Sequence, residues 1–117
     1  MSDSTTIWHN PRCSKSRQTL ALLEARGGDL VVRDYMEDTP SVAELKAVMK
    51  QLGYTSAHEW LRKNEPIYRE LGLKAVEDEE AVFKAMAKHP KLIERPVVIH
   101  KGKAMIGRPP EHVLELF

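Results

Sequence analysis

The chain of 117 residues contains a single cysteine, Cys13. No intramolecular disulfide can form, which excludes a disulfide-stapled secreted scaffold and points to a reducing, cytoplasmic setting. An excess of one charge sign is also missing: 18 Lys and Arg face 17 Asp and Glu, a net charge of +1. That balance argues against a general nucleic-acid or membrane surface, while leaving room for a local basic pocket. No apolar run approaches the roughly 18 residues of a membrane span. The first six residues, Met1 to Thr6, are polar and lack the apolar core of a signal segment. There is no Gly-rich nucleotide motif. The histidines His9, His58, His89, His100 and His112 show no metal-ligand spacing with one another or with Cys13, so neither a metal nor a bound cofactor is expected. Repeats, low-complexity segments and linkers are absent too. With 42% hydrophobic and 30% charged residues, the chain reads as one globular domain over 1–117.

What is present begins with Thr5 to His9, a short run suited to a buried strand. Asn10-Pro11 breaks it. From Ser14 to Arg26 the period is helical, with Leu20, Leu22 and Leu23 as the apolar face and Gly27-Gly28 as the stop. Leu30 to Asp34 is a second strand, centred on Val31 and Val32. Strand, helix and strand in about 30 residues make a parallel βαβ unit. A helical block at about 40–90 follows. Ser41 and Glu44 have capping-box spacing ahead of Leu45, Val48, Met49 and Leu52. Short helices are expected at Ser56 to Arg62 and Pro66 to Leu71, then another behind Asp78-Glu79-Glu80 with Val82, Ala85, Met86 and His89 facing inward. Val97-Val98-Ile99 and Ala104-Met105-Ile106 flank the turn Lys101-Gly102-Lys103, which predicts an antiparallel hairpin. A last helix is expected to turn Val113, Leu114 and Phe117 inward. The order β-α-β, helical insertion, β-β-α is that of an α/β, thioredoxin-like mixed sheet with helices inserted before its third strand.

Cys13 lies at the join of the first strand and first helix. A thiol there meets the positive end of a helix, and Arg12, Lys15 and Arg17 surround it in sequence. These conditions favour the thiolate, which is the nucleophile. Position 16, where a C-x-x-C motif has its second cysteine, is Ser16, so a disulfide at Cys13 needs an outside thiol. The residue six places after Cys13 is Thr19, which rules out the C-x5-R anion loop. Cationic groups must come from farther away. Arg62, Arg95 and Arg108 each stand at an element boundary, and guanidinium forks suit tetrahedral oxyanions. The sequence leaves their convergence open. His9, four residues before Cys13, can support the thiolate, move a proton, or make a structural hydrogen bond. Pro96 occupies the place of the cis-proline of thioredoxin-like sheets, although a trans proline is the commoner strand start.

The segments His9-Asn10-Pro11-Arg12-Cys13-Ser14-Lys15-Ser16-Arg17, Leu61-Arg62-Lys63, His89-Pro90, Glu94-Arg95-Pro96 and Ile106-Gly107-Arg108-Pro109 together resemble the glutaredoxin-linked arsenate reductases. The resemblance covers nearly the whole chain, and the basic loop after the cysteine looks most like the family's chromosomal members. It implies Cys13 as catalytic nucleophile, His9 as its supporting histidine, and Arg62, Arg95 and Arg108 as oxyanion-binding residues. It further implies arsenate as substrate, glutathione as co-substrate and glutaredoxin as protein partner. Two other functions fit a thioredoxin-like chain: a regulatory adaptor that binds a protein partner, and a general glutathione-dependent thiol oxidoreductase. Three guanidiniums favour an oxyanion over plain disulfide exchange, and Cys13 in its activating context favours an enzyme over an adaptor.

Overall fold

A computed structural model describes residues 4–117; Met1, Ser2 and Asp3 of the polar leading stretch lie outside the described residues. The chain divides into two compact units. One comprises the chain up to Asp38 together with Arg95–Phe117, and the other is Thr39–Glu94.

The first unit is built on a four-stranded sheet in the order β2-β1-β3-β4. Strand β1 is Thr5–His9, β2 is Leu30–Asp34, β3 is Val97–His100 and β4 is Lys103–Ile106. β1 pairs in parallel with β2, and β3 pairs antiparallel with β4, as the sequence order predicts; β1 also pairs antiparallel with β3. The β3–β4 turn has positive φ at both Lys101 and Gly102, which matches the right-handed twist of the strands it joins. Helix α1, Ser14–Arg26, crosses from β1 to β2. Ile7 of β1 and its register partner Val98 of β3 bury against Leu23 of α1 and Val113 of the final 3-10 helix, with Leu20, Leu30, Met105 and Leu116 packed around them. That layer fixes α1 against the sheet, and hence the position of its N-terminus.

Two expectations for this unit, for the final helix and for the face of α1, are corrected. The final helix, Pro110–Leu116, is 3-10, and a three-residue period buries Val113 but leaves Leu114 and Phe117 at 41% and 38% exposure. Leu22 is only partly buried; the inward face of α1 is Ser16, Thr19 and Leu23, so two of its three buried residues are polar. Val31 and Val32 are about half exposed because β2 is an edge strand.

The second unit is helical. Helix α2, Val42–Leu52, starts at the expected capping box, with Ser41 and Glu44 satisfying each other's backbone N–H. It ends at Gly53, whose φ of 83° gives the left-handed cap. Helices α3, Pro66–Glu70, and α4, Glu79–Lys88, follow, α4 capped by Asp78. Where a helix through Arg62 is expected, a 3-10 turn stops at Trp60, since Leu61 extends to bridge with Ile93. Leu73–Ala75 and Pro90–Leu92 add 3-10 turns that no periodicity announces. Leu45 and Val48 of α2 and Val82, Phe83 and Met86 of α4 are buried.

Candidate functional site

Strand β1 ends at His9, and the chain turns within Asn10-Pro11-Arg12. The Asn10 side chain accepts from the Arg12 N–H at 3.0 Å, and the Cys13 N–H donates to the Asn10 carbonyl at 3.0 Å. Cys13 is thereby delivered in extended conformation as the N-cap of α1, its own carbonyl accepting from the Arg17 N–H at 3.0 Å. The sulfur stands over the uncapped amides of the first turn.

Ser16 ties this turn to the strand. It is fully buried, its Oγ accepts the Asn10 N–H at 2.9 Å, and it lies 2.6 Å from His9 Nδ1. His9 thus engages Ser16, and its pKa is lowered by burial first, with Arg17 adding to that against Asp34 and Glu24. Ser16, which in sequence marks only the missing second cysteine, is the residue that joins His9 to the helix start.

Thr19, also fully buried, sits one turn on. A Cβ on Gly107 would overlap the Thr19 side chain and come within 2.8 Å of Pro96 Cγ. Only glycine lets the segment after β4 approach α1 and Pro96 this closely. The Gly107 N–H donates to the Pro96 carbonyl at 2.9 Å and closes the contact. Arg95-Pro96 and Arg108-Pro109 are both cis. Arg95, before Pro96, and Arg108, after Gly107, are therefore carried together: Arg108 Nε donates to the Arg95 carbonyl at 2.8 Å, and Arg108 Nη2 lies 3.6 Å from Cys13 Sγ.

Cys13 is 8% exposed. Burial pushes its thiol pKa up, but the backbone N–H groups of Ser16 and Lys15 and the guanidinium of Arg95 outweigh that and hold it below the ordinary value. Arg12, Lys15 and Arg17 are all exposed, Arg17 Nη1 donates to the Pro11 carbonyl at 2.8 Å, and none of the three side chains is among the causes of the Cys13 shift. Cationic help reaches the sulfur from 95 residues away.

Of the residues singled out in sequence, Cys13, Arg95 and Arg108 come together, and His9 reaches the same turn through Ser16. Arg62 belongs to the second unit, where its Nη1 pairs with Glu94 at 2.8 Å and its Nε lies 3.8 Å from Glu65. Sequence reading missed Ser16, Thr19 and Gly107 as builders of the site. Among the described residues no group of three or more His, Cys, Asp or Glu is placed to hold a metal ion. A partly enclosed thiolate flanked by guanidiniums and helix amides can accept a tetrahedral oxyanion and attack its central atom.

The chain is similar to known proteins over nearly its whole length. The model of the ArsC family matches residues 8–116. An arsenate reductase of Haemophilus influenzae is 46% identical over 114 residues, covering 97% of this chain and 98% of its own length. The uncharacterised Escherichia coli protein YfgD is 49% identical over 117 residues, covering 99% and 98%. The solved structure of an arsenate reductase from Vibrio cholerae superposes with a TM-score of 0.95 at 50% identity, covering all of both chains.

Proposed function

This chain belongs to the ArsC family, and on that premise we propose that it is an arsenate reductase that works through Cys13 with glutathione as reductant. The observation that supports this most is the meeting of a thiol with depressed pKa and two guanidinium-bearing residues, one of them 3.6 Å from the sulfur. Arg95 and Arg108 hold the oxyanion against the amides of α1, and Arg62 is the third cation that the family resemblance assigns to it. The Cys13 thiolate attacks the pentavalent arsenic, an As–S bond forms, and an arsenic-bound oxygen leaves as water after taking up protons. Glutathione then attacks the adduct. Formation of the Cys13–glutathione disulfide delivers two electrons to arsenic, which leaves as trivalent arsenite. Cys13 is the chain's only cysteine, so the mixed disulfide must be opened by another protein's thiol, the role of glutaredoxin. A glutathione-driven cycle places the protein in the cytoplasm. Among the described residues no helix is long and apolar enough to cross a membrane.

The test is a coupled assay that follows NADPH oxidation with arsenate, glutathione, glutaredoxin and glutathione reductase. Turnover that depends on arsenate is expected, and Cys13→Ser should abolish it. Folded protein that gives no turnover at any arsenate concentration, or a Cys13→Ser variant that still reduces arsenate, would sink the assignment.

A further inference from the structure

In the second unit a cleft of about 600 Å³ is lined by Lys63, Tyr68, Arg69, Gly72, Lys74 and Ala75. Its volume falls within the roughly 300–1,000 Å³ of small-molecule sites. Half of these residues are cations and none is acidic. Elsewhere in the unit Arg62 pairs with Glu94 and Glu65, and Lys46 with Glu80. Among the described residues the side chains of Lys63, Arg69 and Lys74 have no ion-pair partner. Three like charges around one hollow repel each other, and an anion between them turns that repulsion into attraction.

The cations stand on separate pieces of chain. Lys63 follows the Trp60 turn, Arg69 is on α3, and Lys74 is in the 3-10 turn Leu73–Ala75. Cations carried by three separate segments around one cleft suit two spaced acid groups better than one point charge. Ala75 and the half-buried Tyr68 also line the cleft and offer apolar surface to the body between those groups. Gly72, at a φ of 61°, has no atom within 4 Å of where a Cβ would stand, so this wall is left open.

We propose that this cleft is a binding site for a small organic molecule carrying two acid groups, gripped by Lys63, Arg69 and Lys74. Two sources have that chemistry, a dicarboxylate peptide and an organic diphosphate. The probes are glutathione for the first and adenosine diphosphate for the second, with inorganic phosphate as the simple-anion control. Each is titrated into the full chain labelled with nitrogen-15 and carrying Cys13→Ser, so that no mixed disulfide forms. Saturable amide shifts confined to the segment 63–75 are expected with one of the organic probes, at an affinity at least about tenfold above that for inorganic phosphate. The arm that responds identifies the source. Replacing all three cations (Lys63→Gln, Arg69→Gln, Lys74→Gln) should weaken binding by about tenfold or more while the rest of the spectrum stays native. The single variants Arg69→Gln and Lys74→Gln, at exposed positions, should each weaken it measurably should the triple variant fail to fold. The proposal is overturned by no shifts in this segment with either organic probe, by phosphate binding equally well, or by unchanged affinity in the variants. The arsenate assay above is independent of all these outcomes.

Discussion

At Cys13 burial opposes the charged sulfur, while two helix amides and the Arg95 guanidinium favour it, and the second group prevails. Removing Arg95 takes away one of the influences that hold the thiol low. Arg95→Ala is expected to raise the thiol pKa, read as a rightward shift in the pH profile of iodoacetamide alkylation; an unmoved profile would remove Arg95 from the account. His9 titrates in a different window. Its folded pKa lies below the ordinary 6.5, because burial disfavours the imidazolium. Between those two values the unfolded chain binds more protons than the folded one, so stability rises with pH and is lost as pH falls below 6.5. Cys13 has the same sign at higher pH, between its depressed value and the ordinary thiol value of about 8.5. Urea midpoints measured from pH 7 down to pH 5 should fall less steeply for His9→Gln than for the parent, and parallel slopes would contradict the shift. The nucleophile was legible in the sequence from its place at a strand–helix join. The source of its acidity was not, since the cation that lowers it is Arg95, far away in sequence, and not the neighbouring Arg12, Lys15 or Arg17.

Among the elements, three meet at Gly107: α1 through Thr19, the lead-in to β3 through Pro96, and the lead-out of β4 through Gly107 itself. Their contact is what sets Arg108 beside the sulfur. Gly107→Ala should cost about 1–3 kcal/mol in a denaturant melt, since a methyl group overlaps well-packed neighbours. It should also lower kcat/KM for arsenate beyond any loss of folded protein. A variant with parental stability and parental kcat/KM would show that the junction tolerates slack. Periodicity disclosed the long elements well: α1 and the capping box of α2 lie where it put them. It failed at the short ones. The tight turns at Leu73–Ala75 and Pro90–Leu92 hold too few residues to show a period, and Leu61 leaves its helical pattern because a tertiary bridge to Ile93 competes for it. Glycine's part at position 107 is invisible in sequence, because the crowding it relieves comes from Thr19 and Pro96.

For the molecule as a whole, one cysteine means that every disulfide it forms crosses to a second molecule. Incubation with glutathione disulfide should give one mixed disulfide per chain by intact-mass measurement, on Cys13, reversed by glutaredoxin and absent from Cys13→Ser. Two adducts, or none on folded protein, would contradict a single accessible reactive thiol. The parallel β1–β2 pair and the antiparallel β3–β4 hairpin were readable from the succession of elements, because each connection leaves few topologies open. The final helix was misjudged because an apolar stretch beside prolines gave no hint that it would wind with three residues per turn. The sheet's order also has a consequence for biosynthesis. β1 lies between β2, made soon after it, and β3, which is made only after the whole of Thr39–Glu94. On the ribosome the N-terminal strand–helix–strand unit emerges with one flank of β1 unpaired, and Cys13 emerges without Arg95 or Arg108. Until those residues leave the exit tunnel the thiol lacks its guanidiniums, so the nascent chain carries a muted nucleophile until then.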